Sequence, residues 1–580
     1  MKKFIYSFSV ILISLIILFI FYLSTIGIET SKFNNLVVSA IKKEDPNIKI
    51  SLDKIKIKFD AKKIQIYLAT IEPQIIYHDI KIPIKEINLY SKLISILKSK
   101  NEINQAIFNL ENFKVKDFQK IATRIKPSNF KTYLLNNLND GQIEKILIDI
   151  KLGKNLSIKD YKVNGSVKKI NIKLLNDLLI QDMSFNFISD KNLTLINSLD
   201  ANYQDVLISD GYLSLKRNKQ IDIEGKFNSK FNLNKNQITK LFDREDIKFL
   251  KKNQVKAQGS LLHNFTLKID ENFKLINYDY KSNGKILESQ ITLKDNFKSS
   301  FLEKPIKNFS IINTNVSINF NKKKDNLLII DGLYNLGGSE NKKFKISHDL
   351  NKKKLKYLID FDMAENILLE IINFKSNIKK RSNIKSEIIF TNNNIIFNYI
   401  KLTEDKNLIS INELKLNRKK ELTSISDIEV RTLNENEENN NFKIFFKKKI
   451  SIVGKKYDAT NLLKLLTNDS NTNLLKNFTK EVEIKLESLI TKQKTPLSDF
   501  NLIGQIKRGK FEKLSAKSEF SKNEYLDISL KKDENKKKIL EIYSDLPSVL
   551  LTDYKFFEGV KGGKLLYNLV YDDEGSASKI

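Results

Sequence analysis

Alternation of apolar and polar positions runs through this chain. In "DKIKIKFDAKKIQIYL", residues Asp53–Leu68, Ile55, Ile57 and Phe59 alternate with Lys54, Lys56 and Lys58. Successive side chains of a strand point to opposite faces, so the stretch predicts a strand with one apolar and one basic face. After "DAKK" the pattern resumes with Ile64, Ile66 and Leu68, which predicts a hairpin. The signature recurs at Ile146, Ile148 and Ile150, at Met183, Phe185 and Phe187, and at Phe265, Leu267 and Ile269. It recurs again at Val316, Ile318 and Phe320 and at Val482, Ile484 and Leu486. Short polar stretches, "SDG" at 209–211, "KSNGK" at 281–285 and "TNNN" at 391–394, predict antiparallel turns. A parallel crossover would need a dozen or more residues. What covers the apolar faces is the question on which function depends.

Four stretches break the alternation with helical spacing: Ser91–Ser99, Lys235–Asp243, Ala364–Phe374 and Ala459–Asn468. In "YLIDFDMAENILLEI" and "KYDATNLLKLL" an Asp precedes the pattern, where its carboxylate can cap free N–H groups. This strand–Asp–helix unit repeats without a fixed period, which argues against a β-solenoid or propeller. At the N-terminus, "MKK" leads into an uncharged run from Phe4 to Ile26. As a helix it is about 35 Å long, enough for a hydrocarbon core of about 30 Å. It is longer than a signal-peptide core and no A-x-A pattern follows, which predicts an uncleaved anchor. Lys2 and Lys3 favour an N-inside orientation, opposed by Lys32, Lys42 and Lys43. The expectation is a single-pass inner-membrane protein with its bulk in the periplasm.

Composition narrows the picture. The 580 residues would ordinarily make about four domains, yet 7 Pro and 18 Gly leave no linker to separate them. One continuous architecture is expected. The net charge of +31 invites a nucleic-acid reading, but the lysines are spread along polar strand faces and Trp is absent. They read as a solvated face, without nucleic acid as partner. Zero Cys removes thiolate chemistry. His78, His263 and His348 stand alone, without ligands at metal-binding spacing, and no G-x-S-x-G elbow or P-loop occurs. The Gly pairs in "LYNLGGSE" and "KGGKL" read as turns. The expectation is a non-enzyme with no cofactor or metal.

Three architectures could cover the apolar faces: a sandwich of two sheets, a curved sheet filled by another apolar body, or an outer-membrane barrel. A retained N-terminal helix conflicts with the barrel. Composition alone favours the sandwich over the groove, and periodicity does not separate them.

Resemblance shifts this balance. The basic tip, the apolar run and "IGIETSKFNNLVVSAIKKEDPNIKISLDKIKIKF" resemble the start of AsmA-like proteins, and "IKIPIKEINLYSKLISIL" (Ile80–Leu97) resembles the stretch that follows. Near the other end, "YSDLPSVLLTDYKFFEGVKGGKLLYNLVYDDEG" (Tyr543–Gly575) resembles a segment of the YhdP-type branch, through Ser544, Asp545, Tyr554, Gly562, Gly563 and Leu565. The family has a second acidic residue and Ala-Gly after the Asp; here Leu546, Pro547 and Ser548 stand instead. The resemblance implies membership of the bridge-type lipid-transfer superfamily that also includes TamB. It implies a mainly β fold, with a transmembrane helix followed by an elongated, twisted antiparallel β-groove with a few short helices. The implied divisions are an anchor at 1–26, an AsmA-like N-terminal region at 27–110 and a continuous groove at 111–580.

Under this resemblance, phospholipid acyl chains cover the residues from Ile55 to Leu486 named above and move between inner and outer membranes. About 30 strands at roughly 4.8 Å give on the order of 140 Å of sheet. Other readings are a periplasmic scaffold for outer-membrane protein assembly and an anchored β-sandwich binding protein. The final strand signal, Leu565 to Tyr571, carries no edge device. The expectation is that the protein continues beyond residue 580, or that a periplasmic or outer-membrane partner covers this edge.

Overall fold

A computed structural model describes residues 2–32, 34–35, 38–39, 47–92, 103–124, 135–153, 157–173, 178–241, 249, 252–270, 274–323, 326–350, 355–377, 379–461, 479–491, 496–508, 510–534, 537–553, 559–560, 562–571 and 576–579. The chain is mainly β, with one long apolar N-terminal helix, an open and mostly antiparallel sheet, and a few short helices. It divides into two compact units: residues 1–244, 258–284 and 321–323 form the first, and 245–257, 285–320 and 324–580 the second.

In the first unit the helix Lys2–Thr25 is long and apolar enough to cross a membrane, and none of it is buried by the rest of the protein. The N–H groups of Ile26 and Gly27 both donate to the Tyr22 carbonyl, and Gly27 takes a left-handed φ of 79°. Glycine adopts this helix-ending conformation without steric penalty. The chain then enters the short strand Ile28–Thr30, antiparallel to Lys54–Asp60. A meander follows: Gln65–Ile71, Ile84–Lys92, Ile103–Leu110, Gln142–Leu152, Ile158–Lys173, Leu179–Asp190, Leu193–Tyr203, Val206–Arg217 and Ile221–Asn234. Ile103–Leu110 pairs directly with Gln142–Leu152.

Five consecutive strands of this meander each carry an interruption at a positive-φ residue. Lys145, Lys169, Asp182, Ser198 and Asp210 have positive φ, and the register shifts at each of them. Such bulges bend a strand and increase its twist. "SDG" at 209–211 is therefore a bulge inside Val206–Arg217, and not a turn. "KSNGK" likewise lies within the strand Leu275–Phe297, where a Cβ on Gly284 would sit 2.2 Å from the Ser260 carbonyl oxygen. Glycine here permits close approach of two backbones, which the sequence pattern alone reads as a turn.

The second unit is a meander from Ile306–Asn321 through Leu327–Asn335, Lys342–Asp349, Leu355–Asp362, Ser382–Phe390, Asn394–Glu404, Asn407–Asn417, Asp427–Asn434, Glu437–Phe446 and Ile450–Asp458. The next strand, Lys480–Ile490, pairs in parallel with Ile450–Asp458. Antiparallel order then resumes through Pro496–Lys507, Lys510–Ser521, Glu524–Lys532, Lys538–Ser544, Leu565–Tyr571 and Ser576–Lys579.

The turns at "DAKK", "TNNN" and both Gly pairs fall where the sequence places them. Of the helical patterns, Lys235–Leu241 is a helix, and positions 93–99, 242–243 and 462–468 lie outside the described residues. Ala364–Phe374 is not an α-helix. Leu368–Leu369 pairs with Phe374–Lys375 around a 3-10 turn at Glu370–Ile372. Tertiary hydrogen bonds, described below, override its helical spacing.

The Asp210 bulge generates a prediction. A Cβ on Gly211 would fall 2.7 Å from Leu199 Cβ and 2.8 Å from its carbonyl oxygen. Gly211→Val is expected to destabilise the first unit by about 2 kcal/mol through overpacking, whereas Asp210→Asn, which tolerates the same φ, is near neutral. Hydrogen exchange of the Leu193–Tyr203 amides distinguishes the two.

Candidate functional site

Residues directly opposite one another on paired strands share a face of the sheet. Following those pairs through the second unit gives one row: Val316, Ile330, Ile346, Ile359, Ser386, Ile400, Ile411, Ile428, Ile444, Ile452, Ile484, Leu502, Ala516, Ile528, Ile542 and Tyr567. Only Ser386 interrupts its apolar character. At about 4.8 Å per strand the row runs for roughly 70 Å of sheet. Ile318 begins a parallel row through Leu328, His348, Tyr357 and Ile388. On the other side lie Phe361, Ile384, Leu402, Ile409, Val430 and Phe442.

Burial differs across this face. Phe442, Leu486, Leu526 and Leu565 on one flank, and Ile450, Val482 and Leu530 on the other, are buried. Between them Ile428, Ile444, Ile452, Ile484, Ile528 and Ile542 keep partial exposure, while Leu502 and Ala516 of the same row are buried. Among the described residues the only other sheets are the three strands Ile48–Ser51, Gln74–Tyr77 and Ile80–Ile82 and the two-stranded ribbon at 368–375. Neither is large enough to make the second unit a sandwich.

The opposite face is polar. Asp331, Lys345, Asp360, Lys385 and Lys401 lie in one row across five strands. Cross-strand ion pairs join Lys385 to Asp360 (3.2 Å), Lys443 to Glu429 (3.3 Å) and Lys517 to Asp527 (3.4 Å). Exposed pairs of this kind contribute about 0–1 kcal/mol each; they keep the face solvated more than they stabilise it.

The segment Met363–Asn377 lies on the apolar face as a flap. Its Met363, Ile367, Ile372 and Phe374 are buried against Leu402, Ile409, Val430, Phe442 and Leu486. Ser376 closes it: the Ile367 N–H donates to Ser376 Oγ (2.7 Å) and the Ser376 N–H to the Ile367 carbonyl (2.9 Å). A buried amide network pins its tip. Asn440, fully buried, donates to the Ile372 carbonyl (2.7 Å) and Thr432 Oγ1 (2.8 Å), and accepts from the Asp458 N–H (2.9 Å). Asn373, in the left-handed region at φ 47°, donates to Asp458 Oδ2 (2.8 Å), and Tyr457 donates its hydroxyl to the Ile371 carbonyl (2.9 Å). At the other end of the flap the Asn377 N–H donates to Glu404 Oε2 (2.8 Å). Nothing in the sequence pattern marks this network. Asn439 and Asn440 stand in "NENEENNN", which resembles a turn, and Asp458 reads only as a helix cap. Asp458 does cap a turn, accepting the Thr460 N–H at 3.1 Å, but it also holds the flap.

In the first unit the same parity brings predicted residues together. Ile57 and Phe59 lie opposite Leu68 and Ile66, and Ile148 and Ile150 share their face through Phe108, Ala106 and Leu89. Ile146, Ile148, Met183, Phe185 and Phe187 cluster beneath Val115 of the helix Val115–Thr123. Phe265 lies over Gly225, opposite Leu213. Leu267 and Ile269 are partly buried further along that strand. In the second unit Val316 and Ile318 occupy the two rows above, Phe320 is half-buried at its strand's end, and Val482, Ile484 and Leu486 lie side by side across the face.

Two expectations need correction. Ile55 has no exposure because Ile48, Ile50, Ile75 and Ile82 of the small sheet pack over it, so the protein itself covers the start of the face. Ile64 is not on a strand face; it ends the "DAKK" turn at φ 52° and is 64% exposed.

The histidines have structural surroundings. His263 is hydrogen-bonded to Ser229 Oγ (2.8 Å) and Tyr280 Oη (2.7 Å), and burial lowers its pKa. His348 Nδ1 meets the Lys356 carbonyl at 3.1 Å and its ring stacks on Tyr357, and His78 sits in a two-residue turn. Ser544, Asp545, Gly562, Gly563 and Leu565 form a clamp. Buried Ser544 lies opposite Leu565, Gly562 and Gly563 turn with positive φ, and Asp545 accepts from Tyr543 Oη (2.6 Å) and the Tyr525 N–H (2.9 Å) and pairs with Lys564 (3.2 Å). Tyr554 lies outside the described residues. Comparison of the chain with protein-family models, curated proteins and solved structures finds no match.

The flap and the clamp are each open to test. Asn440→Leu leaves the Ile372 carbonyl and the Asp458 N–H buried without partners, a loss of about 2–4 kcal/mol. Exchange of the Ile367 amide hydrogen should quicken at least tenfold. For the clamp, the Tyr543 hydroxyl, the Tyr525 N–H and Lys564 hold the Asp545 carboxyl below its usual range. A depressed carboxylate contributes stability above its unfolded pKa, about 3.9, and loses it as pH falls through the lower folded value. Protection of the Leu565–Tyr571 amides should therefore fall only in that acid range, and Asp545→Asn should remove the pH dependence.

Proposed function

We propose that this chain is an AsmA-like, membrane-anchored lipid-transfer protein that carries phospholipid acyl chains along the apolar face of its sheet. The observation that carries the reading is the central row, in which Ile428, Ile444, Ile452, Ile484, Ile528 and Ile542 stay partly exposed between buried flanks, interrupted by buried Leu502 and Ala516. A dry core would bury that row completely, and a soluble surface would not hold it. An acyl chain laid along it loses contact with water, at about 0.8 kcal/mol per CH₂. Adjacent positions are chemically alike, so a chain slides from one to the next with little change in energy, and no catalytic residue is needed. The solvated charges of the opposite face keep the sheet soluble while the headgroup remains at the rim. The helix Lys2–Thr25 would hold the protein in the inner membrane, with the sheet in the periplasm and lipid passing toward the outer membrane. The flap and the helix Pro547–Asp553, whose Val549 is buried against Leu497, Phe520 and Leu526, close parts of the face that lipid would otherwise wet.

Photoreactive residues test this directly. At Ile318, Ile452 or Ile484 they should crosslink to phospholipid, and at Asn319, Val453 or Lys485 they should not. Equal labelling of both sets would remove the reading. Ile452→Asp combined with Ile528→Asp should abolish transfer between vesicles while circular dichroism remains that of the parent. Unfolding of this variant would instead indicate a dry core, where an unpaired charge is costly.

A further inference from the structure

We propose that the tip of the first hairpin, Ala61–Ile64, is a second membrane contact, resting on an anionic leaflet beside the N-terminal helix. Ile64 enters the interfacial layer, and Lys58 and Lys62 meet lipid phosphates. The proposal requires the helix to lie in a bilayer and is independent of lipid transfer.

Strand register fixes the direction of the tip. Ile28 lies opposite Ile57 and Thr30 opposite Ile55. Tracing back from Ile28 through Gly27 into the helix therefore leads toward Phe59 and the turn beyond it. Gly27 is packed on this strand: a Cβ there would be 2.8 Å from Lys58 Cγ and 2.9 Å from the Ile57 carbonyl oxygen. The end of an apolar helix and the hairpin tip thus occupy the same end of the sheet. A helix that leaves the bilayer at Thr25 brings the tip to the headgroup layer.

The tip has the chemistry of that layer. Ile64 is 64% exposed and holds a φ of 52°, a conformation that β-branched residues disfavour. Asp60 Oδ1 accepts the Lys62 and Lys63 N–H groups at 3.1 and 3.2 Å, so its carboxylate is engaged in fixing the turn. Among the described residues neither Lys58 nor Lys62 has a carboxylate partner. Lys63 Nζ lies 5.0 Å from the centre of the Tyr90 ring, which stacks on Tyr67 at 4.8 Å, and Tyr67 is opposite Lys58. Half-buried Lys58, exposed Lys62 and one projecting aliphatic residue match a bilayer interface, where basic groups meet anionic lipid, while Tyr90, buried, and Tyr67 brace the turn from within. A strained, exposed Ile has no packing role in the protein itself. The bilayer supplies one.

The chain contains no Trp, so Ile64→Trp gives a single fluorescent reporter. The 580-residue chain is placed in phosphatidylcholine vesicles, with or without phosphatidylglycerol, prepared from brominated acyl chains that quench nearby Trp. Phe19→Trp, within the helix, reports insertion of the anchor. Quenching and a blue shift at both positions, stronger at position 64 with phosphatidylglycerol and largely lost there with Lys58→Gln and Lys62→Gln, are the expected result. Quenching at position 19 with a water-like, unquenched signal at position 64 would overturn the proposal. No quenching at either position would overturn it through its premise, the membrane helix. Quenching at position 64 that ignores both phosphatidylglycerol and the lysine variants would overturn the anionic contact. Ala61→Trp, at an exposed position of the same turn, repeats the readout if Ile64→Trp folds poorly.

Discussion

Register is the constraint on which this molecule depends. Each strand carries its apolar residues at every second position, so a slip of one residue would turn the whole set to water. The ladder must therefore agree strand by strand, and the row from Val316 to Tyr567 shows that it does across every pairing along it. The parallel pair keeps the row as well, with Ile452 beside Ile484. Bulges in the first unit add a residue to each of five strands, yet Phe185 still faces Val167 beyond them. Two-residue turns with positive φ, at Gln204–Asp205 and Glu435–Asn436, fix hairpin register where side chains alone would leave it loose.

Apolar faces of this size cannot be left wholly bare, and each unit covers its own selectively. The small sheet over Ile55, the helix over Ile146, the flap over Phe442 and the helix over Leu526 are four local solutions. The flap differs from the others in being held by buried amides as well as by apolar packing. Amide hydrogen bonds are directional, so they fix where the flap sits, and apolar contacts with many near-equivalent neighbours would not.

The strands are legible in the sequence because alternation of polar and apolar residues is a direct image of the pleat. Ile484 inward and Lys485 outward can be read without any structure, and so can the apolar N-terminal helix. Three things cannot. A bulge and a turn use the same residues, so "SDG" and "KSNGK" are indistinguishable from hairpin connections. Helical spacing in Ala364–Phe374 is real, but its outcome depends on Asn439, Asn440 and Asp458, which are far away in sequence. The cover over Ile55 comes from strands whose own alternation looks like all the rest. Which strands pair into the main sheet and which lie across it is decided by packing, and periodicity carries no record of it.

The parallel junction between Ile450–Asp458 and Lys480–Ile490 has a consequence for how the chain folds. Elsewhere in the second unit most strands meet a sequence neighbour through a short connection, so pairing can spread from hairpin to hairpin with little loop entropy to overcome. At the junction every pairing, from Ile450 with Val482 to Asp458 with Ile490, joins residues 32 positions apart in sequence. Closing long loops is slow, because entropy is lost before contacts are gained. The strands up to Asp458 and those from Lys480 onward would then assemble as separate cooperative blocks. During synthesis the earlier block could complete itself while the later residues were still in the ribosome, and joining the two would be the late step.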